Sequence, residues 1–130
     1  MKFLGIDYGE KRIGLAIGDD EIKIASPFGI LENKNKEFVL GGIKEICLEE
    51  DVGVMVIGLP LTMSGEQGPQ AEETMAFVNF LKNNLAVPVE TEDERFTSVM
   101  VDKLMAESKV KERDAVSAMI ILQSYLDRQK

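Results

Sequence analysis

The chain has 130 residues, the size of one common domain, with 45% hydrophobic and 29% charged residues. No apolar run approaches the roughly 20 residues that span a bilayer. The absence of histidine excludes serine-histidine triads and histidine metal sites, so chemistry must rest on carboxylates, lysines, tyrosines or hydroxyls. The net charge of −8 disfavours a strong non-specific grip on nucleic acid, whose affinity comes mainly from basic side chains on phosphates.

Residues 2–7 are an apolar run, read as a strand that ends at a glycine-containing turn, Asp7-Tyr8-Gly9-Glu10-Lys11. Asp7 stands where a signal peptide's apolar core would continue, so secretion is not expected. Residues 12–18 resume the apolar pattern as a second strand. Residues 22–31 form a third, with Pro27 near its middle, where proline implies an edge strand or a bulge. The period then changes. Phe38, Val39, Ile43, Ile46 and Cys47 recur at three- and four-residue spacing, predicting a helix over 35–50. With Cys47 the only cysteine, no intramolecular disulfide can form, which fits a cytoplasmic location.

Residues 52–59 have the continuous apolar character of a strand covered on both faces. A loop over 60–68 leads to a helix whose inner face is Ala71, Thr74, Met75, Val78, Leu81 and Leu85, with Pro69 in its first turn. Residues 87–91 form a short strand. Thr97 caps a further helix with Val101, Leu104 and Met105 inside. The last helix covers 114–127, and its segment 115–122 is apolar nearly all round, as expected of a buried helix. Three meandering strands followed by alternating units predict one domain over 1–130. Its sheet is mixed, of five strands with the first three antiparallel, and helices cover both faces.

In such sheets, sites gather at the carboxyl ends of strands. That brings Asp7, the glycine loop 58–68 and the acidic triplet Glu92-Asp93-Glu94 into one neighbourhood, and Asp114 opens the buried helix. Singly, these acids read as turn residues, solvated loop charges or helix caps. Together they can form an all-oxygen site for a hard cation, in which like charges raise at least one pKa. Two such ions can activate water and stabilise the leaving oxygen in phosphodiester cleavage. In the loop, Thr62, Ser64, Gly65 and Gly68 precede a helix N-terminus, a place suited to phosphate. Lys11, Arg12, Arg95, Lys111 and Arg113 each lie close in sequence to one of the acids and are candidates for gripping phosphates.

Four stretches carry a resemblance: Gly5-Ile6-Asp7-Tyr8-Gly9-Glu10-Lys11-Arg12, the loop 58–68, Asp93-Glu94-Arg95-Phe96-Thr97-Ser98, and 114–126. In this order they resemble the YqgF (RuvX) family over essentially the whole chain. Its members are described both as Holliday junction resolvases and as pre-16S rRNA nucleases. The resemblance implies an RNase H-like fold, a divalent metal (Mg²⁺ or Mn²⁺) and catalytic, metal-holding acids at Asp7, Glu94 and Asp114. It also implies a structured nucleic acid as substrate, either precursor rRNA or a DNA junction; the excess of acids over bases favours precursor rRNA held on the ribosomal particle, with a DNA junction the alternative. The segment 108–113 is shorter than in many relatives, so the basic surface that a symmetric junction grip needs is reduced. A monomer or weak dimer is expected. Two other readings exist: a sugar kinase- or actin-like phosphotransferase, which needs two such domains, and a catalytically silent module that binds RNA or the ribosome.

Overall fold

A computed structural model describes residues 1–62, 64–94 and 113–129. Five strands, β1 (Lys2–Asp7), β2 (Arg12–Asp19), β3 (Ile24–Glu32), β4 (Val52–Leu59) and β5 (Val89–Asp93), form one sheet in the order β3-β2-β1-β4-β5. The first three are mutually antiparallel, and β4 and β5 run parallel to β1. Three helices are described: α1 (Lys36–Glu49), α2 (Pro69–Asn84) and α3 (Arg113–Arg128). The expected architecture is therefore present, and it is that of the RNase H-like fold. No described helix is long and apolar enough to cross a membrane. The helix expected after Thr97 lies outside the described residues.

Both readings of Pro27 hold at once. Strand β3 is an edge strand, and its register against β2 shifts between Leu15 and Ala16, opposite Gly29 and Pro27. Helix α1 starts at Asn35, whose side chain accepts the Phe38 N–H at 2.8 Å. Its buried face is Val39, Ile43 and Cys47. Phe38 turns outward instead, with the Lys34 ammonium 4.8 Å from its ring centroid.

Alternate residues of each strand feed two cores. Leu4, Ile6, Ile13, Leu15, Met55 and Ile57 pack with Val39 and Ile43 of α1 and with Phe77, Val78 and Leu81 of α2. Phe3, Ala16, Ala25 and Val56 pack with Ala118, Ile121, Leu122 and Leu126 of α3. The α3 side of the sheet is paved with small residues, and this brings the helix unusually close. A Cβ on Gly14 would lie 1.9 Å from the Asp114 carbonyl oxygen, and one on Gly5 would lie 2.8 Å from Leu122 Cβ. Gly5 therefore makes room for a helix. The contact fixes how far the N-terminal turn of α3 stands from the end of β1.

Candidate active site

Asp7 is the last residue of β1, with its side chain on the α3 side. A hydrogen bond from Ser117 holds it, and Asp114 acts on it electrostatically. Ser117 lies one helical turn beyond Asp114, on the same face of α3. That spacing could have flagged Ser117 in the sequence. Burial, with the Asp114 charge added, pushes the Asp7 carboxyl up to about 6 against the lowering effect of Ser117.

Strand β5 ends two residues later than expected, so the acidic triplet is split by strand alternation. Glu92 is 4% exposed and points at the C-terminal half of α3, where Ser124 Oγ donates to it at 2.8 Å and the Arg128 guanidinium pairs with both of its oxygens. Asp93 is exposed. Glu94, just past the strand, returns to the α3 side. It sits over Gly58, where a Cβ would lie 2.8 Å from Glu94 Oε2. Burial first, then the charges of Asp7 and Asp93, push Glu94 up to about 8.

Asp7 and Glu94 line one open cleft of about 440 Å³. Its walls include Tyr8 and Glu10 from the first turn, Pro60 and Leu61 from the glycine loop, and Gln70, Glu73 and Thr74 from the first turns of α2. Asp114, in the first turn of α3, is drawn toward Arg12, whose Nε lies 3.1 Å from Asp114 Oδ2. Among the described residues no three acids stand as a ready-made metal cage. The donor set still suits a hard cation. Two half-buried carboxylates in one cleft are relieved of their repulsion by a divalent ion, and Mg²⁺ is usually held by one or two carboxylates, with water and substrate phosphate completing its shell.

The other predicted contacts fare unevenly. Arg12 is beside the site as the partner of Asp114. Lys11 is exposed and does not line the cleft; its carbonyl accepts the Asn33 N–H at 2.9 Å, beside the paired ends of β2 and β3. The glycine loop is bonded to itself. Thr62 Oγ1 and Ser64 Oγ are 3.0 Å apart, Glu66 N–H donates to Thr62 Oγ1 at 3.1 Å, and Gly65 N–H donates to the Thr62 carbonyl at 2.8 Å. Gly65 has φ 87, a left-handed conformation that favours glycine. Gly68 is the N-cap of α2, and Pro69 follows in its first turn as expected. Arg113 is the first residue of α3. Arg95 and Lys111 lie outside the described residues. Tyr8, Gln70 and Glu73 were not anticipated. Their place in the cleft depends on how α2 sits across β1, which local pattern does not encode.

The five-stranded sheet in this order, with helices packed on it, is an RNase H-like fold. Solved structures share the fold. The fowlpox virus resolvase in complex with Holliday junction DNA superposes with a TM-score of 0.61 at 15% identity, covering 98% of this chain and 97% of that one. The Thermus thermophilus RuvC in complex with a Holliday junction substrate gives 0.60 at 14% identity, covering 97% and 93%. The chain belongs to the RuvX Holliday junction resolvase family, whose model matches residues 1–128. A relative from Chloroflexus aggregans is 44% identical over 98% of this chain and 94% of its own length, and one from Thermoanaerobacter pseudethanolicus is 36% identical over 100% and 99%. Both carry the name "Putative pre-16S rRNA nuclease".

Proposed function

We propose that this protein is a divalent-metal-dependent nuclease that hydrolyses phosphodiester bonds in structured RNA, processing the 16S rRNA precursor in the cytoplasm. One observation carries the reading. Two half-buried carboxylates from separate strand ends, Asp7 and Glu94, meet in one cleft, where burial first and then neighbouring acids, Asp114 for Asp7 and Asp7 with Asp93 for Glu94, push both pKa values up. Burying like charges together is costly for stability alone, and such clusters mark functional sites. In this reading Asp7, Glu94 and Asp114 hold Mg²⁺ or Mn²⁺. A bound ion would supply an activated water and would neutralise charge on the leaving oxygen. Ser117 orients Asp7, and Arg12 holds the Asp114 carboxylate toward the start of β2. The first turns of α2, reached through Gly68, offer backbone N–H groups to a phosphate on the far wall of the cleft.

The choice of RNA follows from charge and from the names of the relatives. With 23 acidic against 15 basic residues, free nucleic acid is gripped weakly. A precursor already seated on a ribosomal particle needs less affinity, because the particle raises its effective concentration. The test is a cleavage assay with Mg²⁺ or Mn²⁺ on particle-bound precursor, naked precursor and four-way DNA junctions, with Asp7→Asn as control. Cleavage is expected to be strongest on the particle, weak on naked RNA and abolished in the variant. Efficient symmetric cleavage of junctions alone overturns the choice of substrate. No cleavage of any of the three with either metal overturns the nuclease reading.

A further inference from the structure

Beside the catalytic cleft lies a second, smaller cavity of about 100 Å³, lined by Tyr8, Asn33, Lys36, Glu73, Phe77 and Phe80 among others. Tyr8 and Glu73 line both cavities, so the two lie side by side, and Tyr8 directly follows Asp7. The Tyr8 ring stacks on Phe77 with centroids 4.4 Å apart, so this aromatic pair is a fixed wall and not a slot to be filled. The Lys36 ammonium stands 5.6 Å from the Phe80 ring centroid. Asn33 is pinned by its amide N–H, which donates to the Gly9 carbonyl at 2.8 Å and leaves its side-chain oxygen as an acceptor. At the same end of α1, Lys34 lies over Phe38. In a chain of net charge −8, these two lysines on aromatic faces are a local exception.

Resting on the nuclease reading above, we propose that this cavity receives one unpaired nucleobase adjacent to the phosphodiester held at Asp7 and Glu94, and that it prefers guanine. The cavity has the scale of one heterocycle and is too narrow for a base pair. Aromatic rings with a lysine at the rim are what single-stranded nucleic acid is bound by, through stacking and charge. The polar groups choose among bases. A carboxylate only accepts and an ammonium only donates. Guanine alone presents two adjacent donors, N1–H and the N2 amine, for Glu73, together with a carbonyl, O6, for Lys36. Uracil and cytosine each offer a single donor group on that edge, and adenine's amine has a ring acceptor beside it. The cleaved strand is thus unpaired at this point, and Glu73 and Lys36 set sequence preference without touching the reacting phosphate.

The test uses the full chain without metal. Guanosine, adenosine, cytidine and uridine are titrated while the ring signals of Tyr8, Phe77 and Phe80 and the Lys36 side-chain signals are followed by NMR. Guanosine is expected to shift these signals with an affinity about tenfold above uridine, the worth of one charge-assisted hydrogen bond. Glu73→Gln should erase most of that preference, and Phe80→Leu, which keeps the packing volume, should weaken all four nucleosides together. Equal binding of guanosine and uridine, or shifts confined to other parts of the protein, overturns the proposal. Cleavage of RNAs that differ only in the unpaired base beside the cut separates the two readings. Cleavage without base preference removes the subsite and leaves the nuclease. Guanosine binding in a protein that cleaves no nucleic acid removes the nuclease and leaves the subsite.

Discussion

The two ends of α3 treat carboxylates in opposite ways. At its C-terminal end, Glu92 is almost fully buried but receives Ser124 and a two-pronged Arg128, so its charge is matched where it sits. At its N-terminal end, Asp7 has the Ser117 hydroxyl as its hydrogen-bond partner, and the charges acting on it and on Glu94 are other acids. Glu92 and Glu94 are two residues apart on the same strand end and face the same helix. The difference lies in what the helix offers each of them. A matched buried charge stabilises position and register, whereas an unmatched pair is held in reserve for a cation or a proton.

The largest expected effect sharpens that contrast. Asp7→Asn should lower metal-dependent cleavage by on the order of a thousandfold, several kcal/mol of transition-state stabilisation. Its melting temperature at pH 8 should equal or exceed that of the parent, because a buried, repelled charge is gone while Ser117 can still bond the amide. A large loss of stability on thermal denaturation would mean that Asp7 is a structural partner like Glu92.

Next comes pH. Asp7 and Glu94 bind protons more tightly in the folded than in the unfolded chain, so their contribution to stability is fully present below their ordinary values of 3.8 and 4.5 and is lost as pH rises through about 6 and then about 8. For Asp7 alone the loss is on the order of 3 kcal/mol. A divalent cation replaces the protons, so millimolar Mg²⁺ or Mn²⁺ should raise the melting temperature more at pH 8 than at pH 5. Equal stabilisation at both values, measured by scanning calorimetry, would place the ion elsewhere.

Gly14→Ala tests the spacing that brings the N-terminal end of α3 to the site. The new methyl meets the Asp114 carbonyl and should cost about 2 kcal/mol or more through overpacking, together with a loss of cleavage. A well-folded and fully active variant would show that the helix can retreat without consequence. At the other end, Arg128→Met strands the buried Glu92 charge. The cost should be about 2 kcal/mol, less than for a fully buried pair because Arg128 is 62% exposed. Adding Glu92→Met should restore most of it, as chemical denaturation of the single and double variants would show. The smallest effect is expected at Thr62→Ala. It removes the acceptor for Glu66 N–H and the contact with Ser64 and should cost about 0.5 kcal/mol in stability. A weaker grip on RNA with unchanged stability would instead restore the direct phosphate contact expected from the loop's place before a helix.

The five strands, the antiparallel run of the first three, the covering helices, and Asp7, the acidic triplet and Asp114 as candidates were legible in the sequence, because each rests on a local signal. Period two against period 3.6, a proline in a strand and an aspartate at a strand end are properties of neighbouring residues. Tertiary structure decided which acid of the triplet enters the cleft. Strand β5 runs on to Asp93, so alternation turns Asp93 away and sets both Glu92 and Glu94 toward α3, where their places along the strand bring Glu92 to Arg128 and Glu94 to the end of β1. It also decided that Gly5 and Gly14 admit a helix, that Thr62 and Ser64 bond within their own loop, and that Tyr8 and Glu73 line two neighbouring cavities. Those facts depend on contacts between segments far apart in the chain. The distance from α3 to the sheet and the angle of α2 across β1 are set by packing of whole faces, and no window of sequence contains both partners.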